Sequence, residues 1–161
     1  MQNYQNIIKT VLKKIKPKPT EENKLNKLAK KTLKITQEIA RKYQAKAILA
    51  GSLTRSTWLP GKREFDIFII FPINLPEDKL EEYGLLVGKE VIKELKGKSL
   101  VEYAQHPYTS GKVQGIDIDI VPCYGVESPE KIKSAVDRTP FHVMYIEKNL
   151  TLRMSDDVRL L

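Results

Sequence analysis

An α+β fold built on a mixed sheet is what this sequence predicts, on three observations. Segments with helical and strand-like patterns come in the order helix, strand, helix, strand, helix, and then a run of strands. The last two strands are joined by a tight turn at Gln114-Gly115, too short for a parallel crossover, which argues against a doubly wound parallel sheet. Residues 64–71 are apolar on both faces beyond Asp66, the pattern of a strand in the middle of its sheet.

The elements follow in order. Ile7, Ile8, Val11, Leu12 and Ile15 recur at helical spacing and predict an amphipathic helix over residues 3–15, ended by Lys16-Pro17-Lys18-Pro19. Thr20 reads as the N-cap of a second helix running to about Lys42, with Glu21 and Glu22 in its first turn and Leu25, Leu28, Leu33, Ile39 and Tyr43 as apolar contacts. Ala45–Ala50 reads as a short buried strand feeding into Gly51-Ser52, and a short helix carrying Arg55 and Trp58 is predicted next. Pro60-Gly61 makes a turn before the strand at 64–71. Leu80, Leu85, Leu86, Ile92 and Leu95 mark a helix over about 77–96, ended at Gly97. Strands are predicted at 99–104, 108–114 and 116–123. Ser128, Pro129 and Glu130 form a helix-start signal, and helices are predicted over 141–150 and from Ser155.

The chain has 161 residues, enough for one domain with a full core, and its 41% hydrophobic and 30% charged composition is that of a globular protein. It has no apolar run near the roughly 18 residues a membrane span needs, which argues against a membrane protein. The single cysteine, Cys123, excludes an internal disulfide framework and fits a reducing cytoplasm. The net charge of +8 is uneven: residues 1–50 hold 13 Lys/Arg against 3 Asp/Glu, so the rest sums to −2. Such a basic end suits either a polyanion such as RNA or two helices with solvated lysine faces.

The chemistry concentrates between Gly51 and Pro72. Glu64 and Asp66 are two residues apart in a strand and point to the same face. At about 4 Å and an effective dielectric of about 20, two such charges repel by roughly 4 kcal/mol unless a cation sits between them. Asp117 and Asp119 repeat the pattern in Ile116-Asp117-Ile118-Asp119-Ile120-Val121, and either could supply a third carboxylate if the two strands are neighbours. Carboxylates together with substrate phosphates are the usual ligands of Mg²⁺, and a two-metal site of this kind activates an attacking hydroxyl and neutralises a leaving pyrophosphate. Edge acids paired with lysines are the competing explanation; two acid-x-acid strands behind a small-residue turn favour the metal. Gly51 allows backbone to approach a ligand closely, N–H groups at a following helix start can bind phosphate, and the Ser52 hydroxyl and Arg55 guanidinium add donors. No Walker A sequence is present.

Gly51-Ser52, Arg55 to Leu59, Glu64-x-Asp66 and the distant Asp119 resemble the polymerase-beta-like nucleotidyltransferase superfamily. Thr57-Trp58-Leu59, Asp66 to Pro72, Tyr103-Ala104-Gln105-His106-Pro107-Tyr108, Asp119 to Tyr124 and Ser134 to His142 are together similar to the archaeal (class I) CCA-adding tRNA nucleotidyltransferases, over essentially the whole chain and in the same order. The resemblance implies a nucleotidyltransferase fold with Glu64, Asp66 and Asp119 as the catalytic, Mg²⁺-binding acids. It selects Asp119 over Asp117, which spacing does not. It implies that Gly51, Ser52 and Arg55 hold the triphosphate, that Thr139 and His142 approach the nucleotide, and that His106 lies nearby. From the residues alone, either histidine is as readily structural, Trp58 and Cys123 read as core, and Arg138 reads as ordering its turn through Asp137.

The implied reaction is transfer of CMP or AMP from CTP or ATP to the 3′ end of tRNA, with release of pyrophosphate. Members of that family are much longer, with neck, body and tail regions holding a triphosphate-contacting lysine and tyrosine, the base-reading groups and most of the tRNA surface. Residues 1–140, with basic N-terminal helices over 1–43, would be the catalytic head, and 141–161 the beginning of a helical neck. Leu160-Leu161, midway through an apolar helical pattern, reads as a truncation. Two other readings stand beside this one. The chain could be a nucleotide-binding or assembly module, weakly active alone and completed by a second copy or a partner chain, or a transferase acting on a small substrate.

Overall fold

The computed structural model describes residues 2–161. Helix α1 (Gln2–Ile15) precedes α2 (Pro19–Ala40), which runs through a single 3₁₀ turn (Arg41–Tyr43) into β1 (Lys46–Ala50). Then come β2 (Glu64–Pro72), α3 (Glu77–Glu94), β3 (Lys98–Tyr103), β4 (Pro107–Val113) and β5 (Ile116–Gly125). Helices α4 (Thr139–Asn149) and α5 (Leu152–Arg159) close the chain. The five strands form one mixed sheet in the order β1-β2-β5-β4-β3, with β2 and β5 parallel and the other pairs antiparallel. This is the α+β class that the sequence predicts, and β2 is an interior strand.

Phe65, Ile67, Ile69 and Phe71 of β2 and Ile116, Ile118 and Ile120 of β5 are buried on one face. Helices α2 and α3 cover it. Two threonines sit on the buried face of α2 with their hydroxyls satisfied, since each donates to a carbonyl one turn back, Thr32 to Leu28 and Thr36 to Thr32. In α3 the buried face is Leu80, Gly84, Val87, Gly88, Val91 and Ile92. Leu86, one of the residues whose spacing marks the helix, is exposed. Gly84 takes a buried place because the helix passes so close to the sheet that a Cβ there would meet the Pro122 ring at 2.7 Å.

Four local expectations are corrected. No helix follows Gly51: residues 51–56 are turns, closed by hydrogen bonds from the Ser56 N–H to the Leu53 carbonyl and from the Thr57 N–H to the Ser52 carbonyl, with Ser56 at φ +52°. A positive φ is incompatible with a right-handed helix, so the chain turns back at once. Helix α2 starts two residues early, with Lys18 at its cap and Pro19 in its first turn, where the missing N–H would be unpaired anyway. The Ser128 signal yields only a 3₁₀ turn, Pro129–Lys131, with no side-chain cap. The last helix begins at Leu152, before Ser155, because Thr151 caps it by accepting from the Met154 N–H.

On the opposite face, α4 packs against β1. Pro140, Phe141, Val143 and Met144 face Ile48 and Ile70 across a cleft of about 640 Å³. Helix α5 lies over the turns after β1: the Ser155 hydroxyl donates to the Arg55 carbonyl (2.9 Å) and Arg159 Nε to the Trp58 carbonyl (3.4 Å). Lys16, just after α1, pairs with Asp156 of α5 at 2.6 Å. Among the described residues no helix is long and apolar enough to cross a membrane.

Candidate active site

The acids meet because β2 and β5 are adjacent and in register. Asp66 is the direct partner of Asp119, and Glu64 of Asp117. Neighbouring strands stand about 4.8 Å apart, so these pairs place four carboxylates on the face away from α2 and α3. The strands then separate their roles. Asp117 is exposed and paired with Lys112 of β4 at 3.1 Å, whereas among the described residues no such pair holds Asp119. Asp66 and Asp119 are half-buried and Glu64 is exposed.

Asp66 bears the cost of this arrangement. Burial, then the nearby charges of Asp119 and Glu64, push its pKa up to about 6, with Arg55 opposing them. A cation among these acids would relieve that cost, and their hard oxygen donors suit Mg²⁺. The oxygens of Glu64, Asp66 and Asp119 do not all lie within 4.8 Å of one another, so enclosing an ion requires side-chain rotation.

Gly51 comes directly after Ala50, the β1 partner of Asp66. It has φ +81°, and a Cβ built on it would collide with Asp66 Oδ2. The turn therefore lies against the carboxylate with no room for a side chain. Arg55 Nε is buried there without a partner among the described residues, a donor an anionic ligand could satisfy. Ser52 is half-buried in the same turn, and Trp58 is core, 3% exposed. The phosphate-binding contribution expected from a helix start is missing, because these residues form turns.

Thr139 and His142 lie on α4, half-buried and exposed respectively. His106 does not join the acids. It is buried beside α3, with Nδ1 3.3 Å from Glu81 Oε1 and 3.5 Å from Glu77 Oε1, and its ring meets Tyr124 edge-on. Arg138 is exposed, and Asp137 orders the turn through backbone instead. Its Oδ1 accepts from the Tyr124 N–H (2.8 Å), and its Oδ2 from the N–H groups of Ser134 (2.8 Å) and Lys133 (3.1 Å). The capping-box spacing Ser134-x-x-Asp137 carries that signal in the sequence. Tyr108, not anticipated, lies near the acids: burial, then Asp119, Glu102 and Asp66, raise its phenol pKa. Alternation along β4, where Ser110 is paired with Asp119, would have pointed to it.

Residues 29–142 match the nucleotidyltransferase domain family. The chain belongs to that family. This nucleotidyltransferase domain is 43% identical over 158 residues to the CCA-adding enzyme of Methanocaldococcus jannaschii, covering 96% of the chain and 35% of that protein. It is 40% identical over 161 residues to the CCA-adding enzyme of Methanothermobacter thermautotrophicus, covering 99% and 35%. The chain thus spans about a third of the length of these relatives. Solved structures with the same fold include Cid1, described by its RNA terminal uridylyl transferase activity. There the TM-score is 0.65 at 15% identity, over 99% of this chain and 44% of that one. CdnC of E. coli MS115-1 with ATP gives a TM-score of 0.66 at 18% identity, over 97% and 55%. At these identities the likeness concerns the fold alone.

Proposed function

We propose that this nucleotidyltransferase domain is the catalytic head of a CCA-adding enzyme, transferring CMP and AMP from CTP and ATP to the 3′ end of tRNA. The observation that carries the reading is Asp66 in register with Asp119 beneath the Gly51-Ser52 turn. The names of the relatives support the substrates. Residues 1–140 would form the head and 141–161 the start of a helical neck, and the lone buried Cys123 suits a cytoplasmic setting.

In this reading Glu64, Asp66 and Asp119 hold Mg²⁺. When bound, it lowers the pKa of the attacking hydroxyl and offsets charge on the departing pyrophosphate. Arg55, with its unpaired Nε, and the Ser52 hydroxyl hold the triphosphate, and Gly51 keeps the turn low enough to bring it against Asp66. The tRNA 3′ hydroxyl gives up its proton to solvent as its oxygen forms a bond to the α-phosphorus, and the bond from that phosphorus to the α–β bridging oxygen breaks, its electron pair leaving with pyrophosphate. Thr139 and His142 approach the nucleotide from α4.

Labelled CTP incorporation into tRNA lacking its 3′ CCA tests the reading in the longest available form of the protein. Asp66→Ala and Asp119→Ala should each abolish incorporation with nucleotide-induced stabilisation reduced; incorporation surviving in both removes the metal assignment. That the chain spans a third of its relatives' length favours one refinement: it supplies metal and triphosphate binding, while base choice and most of the tRNA grip come from another segment or a partner chain. Titrating the chain with MgATP and with tRNA separates the two, since CCA addition by the chain alone would overturn the refinement.

A further inference from the structure

Behind the sheet, well away from the acids, three metal-ligating side chains converge. Glu77 and Glu81 stand one turn apart on α3, and His106 lies in the bend entering β4. Their nearest ligand atoms all lie within 4.8 Å of one another, the one such set among the described residues. The His106 side chain is only 3% exposed. Among the described residues its buried Nε2 has no hydrogen-bond partner, and the ring's polar contacts run through Nδ1, aimed at both carboxylates. A single N–H cannot be directed fully at two carboxylates. A metal ion accepts all three.

We propose that Glu77, Glu81 and His106 bind a borderline divalent cation of the Zn²⁺ kind. Ligands about 2.0–2.1 Å from zinc in a tetrahedron stand about 3.4 Å apart, and the 3.3 and 3.5 Å separations already match two such edges. One imidazole nitrogen with two carboxylate oxygens is a donor set that favours zinc over magnesium. The fourth position opens on a cleft of about 360 Å³ lined also by Gln105, Tyr124 and Lys133, leaving space for water. Nδ1 ligation puts the ring proton on Nε2, and the ring as a whole stands edge-on to Tyr124 at 6.5 Å between centroids and 85° between planes. The ion would clip the start of α3 to the bend that leads into β4. Since α3 lies on the opposite face from Asp66 and Asp119, this site is independent of the transfer chemistry.

The test is Zn²⁺ binding to the whole chain, followed by calorimetry and by the imidazole NMR signals of its two histidines. Zn²⁺ should move the His106 ring signals and leave those of His142 in place. Glu77→Gln with Glu81→Gln, both partly exposed and so compatible with folding, should weaken binding by about 100-fold or more, beyond the 10–100-fold typical of losing a supporting contact. Asp66→Asn with Asp119→Asn should leave it intact. An unmoved His106 ring, or equal affinity in the Glu77/Glu81 double variant, overturns the proposal and leaves a hydrogen-bonded His–Glu cluster only.

Discussion

Gly51 lies against the carboxylate of Asp66, so close that a β-carbon on the glycine would occupy the space of Oδ2. The contact joins the phosphate-type turn to the acid face, and it exists because Ala50 and Asp66 are strand partners.

Gly51→Ala should therefore do more than strain the backbone. Gly61 provides the control: its φ of +82° is nearly the same, but nothing lies within 4 Å of a β-carbon there. Gly61→Ala should cost about 1 kcal/mol, the usual penalty for a non-glycine residue at positive φ. Gly51→Ala should cost clearly more and also weaken MgATP binding. Equal losses in urea unfolding, with nucleotide binding intact in both, would refute the close contact.

Asp66→Asn should stabilise the metal-free protein. It removes a half-buried charge beside Asp119 and Glu64, a gain on the order of 1 kcal/mol after allowing for solvent screening. Thermal melts should show a rise of a few degrees without divalent ions. Adding Mg²⁺ should then raise the melting temperature of the parent and not that of the variant. A variant less stable than its parent without metal would contradict the like-charge account.

Asp137 is fully buried and accepts three backbone N–H groups. Asp137→Ala should cost roughly 3 kcal/mol or more, because it leaves those donors without an acceptor. Asp137→Asn keeps one acceptor oxygen and should fall between. An alanine variant within 1 kcal/mol of the parent in equilibrium unfolding would show that the turn is held by other contacts.

Cys123 predicts an alkaline weakness. Burial, and then the charge of Asp137, raise its thiol pKa far above the ordinary value. The unfolded thiol loses its proton from about pH 8.5 while the folded one keeps it. Above that pH the folded state binds more protons. Stability from this source is thus complete below about 8.5 and falls as pH rises, by at most about 1.4 kcal/mol per unit. Cys123→Ala should flatten the slope between pH 8.5 and 10, measured as the urea midpoint; an unchanged slope would assign it elsewhere.

Much of the fold was legible because its signals are local. The two-residue period of β2 and β5 put Glu64 with Asp66 and Asp117 with Asp119, and helical spacing located α1 to α3. Where signals were weak, the reading went astray. The segment after Gly51 looked like a helix start, yet Ser56 at positive φ ends any such turn. Leu86 is part of the spacing that marks α3, yet the helix presses glycines against the sheet and leaves that leucine outside.

The sequence by itself determined the α+β class, the interior place of β2 and the shared face of each acid pair, since strand alternation needs only neighbouring residues. Only the tertiary structure decided which acids face each other. That depends on register between strands some fifty residues apart, which sets Asp66 beside Asp119. It also moved His106 behind the sheet to Glu77 and Glu81, because the bend before β4 packs it against α3. Neither contact leaves a pattern in neighbouring residues, since each is made by elements that meet only once the sheet has closed.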